Sequence, residues 1–352
     1  MDYFNFFSGK GNDIDIDKIA ESLRDKLKRF GGKLYKYYGL SSQYTLSNIE
    51  KDIVYLNTPK FFNDPFDCYL GLESDQVLIQ FCVTLLCEDK LKLESRQAEA
   101  FYRFIVGEDL RQFEIDFLNL QMEIYTPELP RNSIQIWTSK SIKEKFELFG
   151  RLIGLAEEEI QYVISLSQKL SQLQNNVEDE INKNFVITCF CESYKNELMW
   201  AHYAEKHQGI CVEYDFRKLF VNDPESIYKL LQLYPVIYSN ERPSIPVTTD
   251  VKGEFHYMVK EGKYSSEDKL RALLTKSNVW QYEKEWRLIM PGLSYQILEL
   301  PIISKIFLGA KIFEENEAKI IKLASEKKIK VYKMNIHPYR YDFLEPSLVT
   351  QT

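Results

Sequence analysis

Between residues 74 and 180 apolar residues recur every three or four positions, with charges between them and few Gly or Pro, whereas on either side the apolar period shortens towards two. That pattern predicts an α+β fold with a mixed, mostly antiparallel sheet core interrupted by a large helical insertion. The changes of period divide the chain into an N-terminal helical extension at 1–32, a first part of the α+β core at 33–73, the insertion at 74–182 and a second part of the core at 183–352. A chain of 352 residues can bury a substantial core, and its 23 Tyr and 22 Phe are unlike the aromatic-poor composition of disordered chains.

Strands are expected at 33–38, 53–58, 185–193, 209–216, 233–238, 284–290, 304–308 and 329–334, and helices at 14–30, 42–51, 265–275 and 314–326. A short helix carries the run ELMWAHYAEKH, and Gly209 after it reads as the helix stop that leads into the next strand. Within the insertion, the apolar residues of 165–184 follow a roughly heptad spacing and predict a helical hairpin with the run before them. The helices of 141–182 are the first place to expect a protein partner or a homo-oligomer contact.

A formal net charge of −7 argues against a general nucleic-acid binder and leaves only a local basic groove open. Cys68, Cys82, Cys87, Cys189, Cys191 and Cys211 form no CxxC pair and have no His at zinc-finger spacing, so reduced thiols and no metal are expected. No basic segment followed by a long apolar run opens the chain, and no stretch approaches about eighteen uninterrupted apolar residues. These features predict a cytoplasmic protein without a membrane segment. P-loop and dinucleotide-type glycine loops are missing.

Three polar constellations, within 33–67, 188–215 and 280–289, carry the candidate chemistry. The first joins Tyr35 and Lys36 to the turn Asn63-Asp64-Pro65, whose polar groups either shape the turn or meet a ligand, among Phe61, Phe62 and Phe66. The second runs from Cys191 and Ser193 to Trp200, His202, Tyr203 and His207, where residues four apart on a helix share a face. In the third, a strand places Glu283, Glu285 and Arg287 on one face, either as a solvated ion-pair row or as a catalytic carboxylate held by an arginine.

The runs YKYYGL, LNTPKFFNDPFD, ITCFCESYKNELMWAHYAEKHQGICVEYDF, WQYEKEWRLI and IFLGAKI together resemble the bacterial family called domain of unknown function 2971, over residues 33–70 and 183–312. The order of elements is also similar to that of ADP-ribosyltransferases. This second resemblance implies NAD as substrate, with Tyr35 or Lys36 holding it on the first strand, Cys191, Ser193 or Tyr203 beside the nicotinamide, and Glu285 as the essential acid with Glu283 two residues before it. It further implies Tyr203 or Trp200 as the aromatic face and Arg287, Lys36 or His202 as the cation for the pyrophosphate. The implied role is an NAD-consuming effector, with bacterial stress or phage defence as its setting. Two other classes compete: a non-enzymatic sensor of a small molecule, nucleotide or protein, and a metal-dependent nuclease using Asp64, Asp67, Glu283 and Glu285.

Overall fold

The computed structural model describes residues 16–73, 144, 147, 157–220, 224–249, 255–257 and 266–349. Most of the expected insertion, with Cys82 and Cys87, lies outside the described residues. The elements in chain order are α1 Ile16–Arg29, β1 Lys33–Tyr38, α2 Tyr44–Glu50, β2 Ile53–Tyr55, β3 Gly71–Glu73, α3 Glu157–Asn184, β4 Phe185–Cys191, α4 Glu197–Tyr203 and β5 Ile210–Asp215. They continue with α5 Pro224–Leu231, β6 Leu233–Pro235, β7 Ile237–Ser239, β8 Ser244–Thr249, β9 Phe255–Tyr257, α6 Ser266–Leu274 and β10 Thr275–Ser277. The last are β11 Glu285–Pro291, β12 Ile297–Glu299, β13 Ile303–Leu308, α7 Glu314–Glu326, β14 Lys330–Lys333 and β15 Ser347–Leu348.

These residues fall into two compact units, one drawn from Met1–Tyr69, Glu180–Pro243 and Lys269–Thr352, the other from Leu70–Asp179 and Ser244–Asp268. In the second unit β8 pairs in parallel with β3 and antiparallel with β9. There the Gln174 side chain of α3 donates to the Leu70 carbonyl at 3.0 Å and accepts from the Leu72 N–H at 3.0 Å. The helix α3 is continuous over 28 residues, which corrects the predicted hairpin: no Gly or Pro interrupts 157–184, so nothing turns the chain at 164/165.

The first unit is built on an eight-stranded sheet in the order β15-β14-β13-β5-β1-β4-β11-β6, antiparallel except for the parallel β13–β14 pair. Period-two alternation gives this sheet two buried faces. Leu34, Val186, Val212, Tyr214, Leu288 and Ile306 belong to one core, to which α1 adds Leu23, α2 Ile49 and α7 Ile320 and Ala324. Full burial of side chains of this size contributes roughly 1.5–3 kcal/mol each. The opposite face is a smaller aromatic core, in which Tyr37, Cys191, Cys211 and Phe307 meet Trp200 and Met199 of α4 and Phe343. Gly209 follows α4 where its N–H bonds the Ala204 carbonyl at 2.8 Å; an added Cβ there would collide with the Tyr38 carbonyl oxygen. The expected strand at 233–238 is two strands: the pairing of β6 with β11 runs on to Val236, whose N–H bonds the Glu285 carbonyl at 2.9 Å, and β7 then leaves the main sheet to pair with β10. Among the described residues no helix is long and apolar enough to cross a membrane.

Candidate active site

The central strands of the sheet part company. β1 pairs with β5 at six registers but with β4 at Tyr35↔Cys191 alone. Further along β4, Asn57 replaces β1 as the partner of Ile187, and the Lys36 Nζ donates to the Cys189 carbonyl at 2.9 Å. A cleft of about 320 Å³ opens there, within the range of ligand-binding pockets and near its lower end. Its lining draws on both faces of the sheet, with Lys36, Thr188 and Phe190 from one and Tyr37, Cys189 and Glu285 from the other. Phe61, Phe62 and Asn63 from the turn after β2, and Met199 and Tyr203 from α4, complete the walls.

Acids gather around two protein cations. Lys276 of β10 places its Nζ 2.5 Å from Glu283 Oε2 and 2.7 Å from Glu285 Oε2. Arg287, with no exposed surface, donates from Nε to Glu285 Oε1 at 2.7 Å, from one terminal nitrogen to Asp67 Oδ2 at 2.6 Å and from the other to the Leu273 carbonyl at 2.5 Å. The remaining oxygen of Glu283 accepts from the Tyr203 hydroxyl at 2.8 Å, and Asn63 Nδ2 donates to that hydroxyl at 3.2 Å. Tyr203 is set by α4, whose first turn is capped by Asn196 Oδ1 accepting from the Met199 N–H at 3.1 Å.

The two glutamates, 4% and 5% exposed, are driven in opposite directions. Burial raises Glu283 above the ordinary carboxyl value, and the neighbouring Glu285 charge adds to this against the pull of Lys276. Burial works the same way on Glu285, but the charges of Arg287 and Lys276 outweigh it and hold that carboxyl well below the ordinary value. Burial also raises the Tyr203 hydroxyl, which stays a neutral donor, and pushes the Cys191 thiol up to about 12. Cys68, Cys189, Cys191 and Cys211 are free thiols.

Of the residues singled out from sequence, Tyr35, Lys36, Asn63, Tyr203, Glu283 and Glu285 line the cleft. Glu283 corrects the expected strand face: it ends a 3-10 turn, and left-handed Lys284 separates it from β11, yet its carboxylate still meets Glu285 at Lys276. Others lie outside the lining. Arg287 is enclosed behind Glu285 and has no surface for a pyrophosphate. The Asp64 carboxylate accepts from the Phe66 N–H at 2.9 Å and closes its own turn. Cys191 is buried with its Sγ on the carbonyls of Tyr35 and Ser193. Trp200 is fully buried and donates to the Tyr194 carbonyl at 2.7 Å. His207 packs against Trp200 and Phe343 at the end of a left-handed run with Glu205 and Lys206. His202 is exposed. Lys276 and Thr188 were not singled out; the only sequence trace of the first is a lone lysine in LLTKSNVW, four residues before the Trp280 ring over which it sits at 5.1 Å.

An α+β protein whose central strands separate around an aromatic, acid-floored cleft is the class that fold and site define. A family model described as "Protein of unknown function (DUF2971)" matches residues 199–288, a stretch that takes in Tyr203, Lys276, Glu283, Glu285 and Arg287. The match supports the resemblance to that family. No curated protein and no solved structure matches the chain, and the likeness to ADP-ribosyltransferases finds no support there.

Proposed function

We propose that the cleft is the active site of an enzyme that breaks the nicotinamide–ribose bond of NAD and passes the ADP-ribosyl group to water or another acceptor. The observation that carries this reading is the pair Glu283 and Glu285, side by side on one lysine with their protonation pushed apart, which is how one site supplies both a charge stabiliser and a proton-transfer group. Ionised Glu285 faces the positive charge that develops on the ribose as nicotinamide departs with the bonding electron pair. Glu283 takes the proton of the incoming hydroxyl while that oxygen bonds to the same carbon. Tyr203 and Phe62 offer aromatic surface to the departing ring.

One observation favours a binding-only module instead: both oxygens of Glu285 already have ion-pair partners, Arg287 on one and Lys276 on the other. The same saturation counts against the nuclease, because an ammonium and a guanidinium stand where these acids would hold a divalent cation. Among the described residues no group of three or more His, Cys, Asp or Glu is placed to hold a metal ion. Incubation of the protein with NAD, following free nicotinamide by chromatography with and without cell lysate as a source of acceptors, separates the first two readings. Release that disappears in Glu283→Gln supports the enzyme; NAD binding without release supports the module.

A further inference from the structure

The cleft also holds two polar groups that the proposed chemistry does not use. Thr188, on β4 between Val186 and Phe190, is 2% exposed, lines the cleft, and has a buried hydroxyl with no hydrogen-bond partner among the described residues. An unsatisfied buried hydroxyl is destabilising, so its retention calls for an occupant that it binds. Lys36 lines the same cleft, and its Nζ rests on the carbonyl of Cys189, the residue next to Thr188. Lys276 and Arg287 are ringed by carboxylates; the amine of Lys36 reaches only that carbonyl among its described hydrogen bonds, and burial lowers its pKa. A buried amine without a carboxylate contact and an orphan hydroxyl are complementary to one kind of guest, an anion that accepts from both.

We propose that Thr188 and Lys36 form an anion subsite for a phosphate group within the same cleft as the acid pair. This deepens the NAD reading, on which it rests for the identity of the whole ligand. Inorganic pyrophosphate is the probe, titrated calorimetrically into the full chain, with thermal melting of each variant alongside. Pyrophosphate binds the wild-type protein, binds Thr188→Val roughly tenfold more weakly, the loss of one hydrogen bond to a charged group, and is undetectable on Lys36→Met. Thr188→Val also melts higher than wild type without ligand, because valine keeps the shape and removes the orphan hydroxyl. No binding to the wild type, or equal binding to wild type and both variants, overturns the subsite. The two readings fail separately: pyrophosphate binding without nicotinamide release removes the glycosidic chemistry and keeps the subsite, while release unaffected by Thr188→Val and Lys36→Met does the reverse.

Discussion

Two buried networks of acids are treated in contrasting ways. Glu213 of β5, 1% exposed, accepts from Lys33 Nζ at 3.0 Å, the Tyr35 hydroxyl at 3.0 Å and the Ser304 hydroxyl at 2.7 Å, with Lys305 Nζ 3.7 Å away. Burial pushes its carboxyl up, but Ser304, Lys33 and Lys305 outweigh it and hold the group below its ordinary value. One acid has four partners, and its surroundings reach solvent. In the cleft three acids, Asp67, Glu283 and Glu285, share two cations, so one of them must be left short, and Glu283 is the one whose pKa rises. Matched charge fixes a sheet, whereas mismatched charge leaves a proton free to move. Tyr35 stands between the two networks, lining the cleft while its hydroxyl serves Glu213.

Removing the shared cation from the cleft produces the largest stability change. Arg287→Met strands Asp67 and Glu285 in the interior and lowers unfolding stability by about 3–5 kcal/mol in urea titration. The corresponding change beside Glu213, Lys305→Met, breaks a half-exposed contact and costs at most about 1 kcal/mol. Near-equal losses would erase the distinction between the networks.

Neutralising each acid in turn sharpens it. Glu213 has a folded pKa below the ordinary 4.5, so its contribution to stability is present above that value and is lost as pH falls through the folded pKa; Glu213→Gln therefore loses about 1–3 kcal/mol at neutral pH and flattens the acid limb. Glu283 has a folded pKa above 4.5, so stability falls as pH rises through the interval between the unfolded and folded values. Glu283→Gln removes that decline and keeps the protein at least as stable near neutrality, while turnover falls by roughly 10²–10⁴-fold. Urea titrations across pH, with nicotinamide release alongside, check both variants.

Tyr203→Phe is the mildest test. It deletes the hydroxyl that donates to Glu283, which costs about 1 kcal/mol and raises the Glu283 pKa further, moving the acid limb of any pH–rate profile to higher pH.

The sheet was largely legible because its signal is local. The alternation in KLYKYY predicts a strand at 33–38, where β1 lies, and the apolar run around 304–308 finds β13 within a residue. Chain breaks set by tertiary pairing were not legible: after Val236 the chain leaves β11 and pairs as β7 with β10, and Lys284 adopts a left-handed backbone between Glu283 and β11. The acid pair was visible as Glu-x-Glu, but its environment was not. Lys276 meets Asp67 from 209 positions away, and the Thr188 hydroxyl has no partner on β4 or the described elements around it. Trp200 and His207 misled in the opposite direction, since aromatic and imidazole side chains at helical spacing serve a packed core as readily as a ligand.

The opposed protonation of the two cleft acids is best tested by following glutamate side-chain carboxyl carbons by NMR as the pH is lowered through the acid range, in the wild-type protein and in Glu283→Gln, Glu285→Gln and Glu213→Gln. The account predicts one buried carboxyl that titrates above 4.5 and vanishes in Glu283→Gln, and two that titrate below it and vanish in Glu285→Gln and Glu213→Gln. A Glu283 carboxyl that titrates below 4.5 together with the other two would contradict it, and would make the cleft a second fully matched ion network like the one around Glu213.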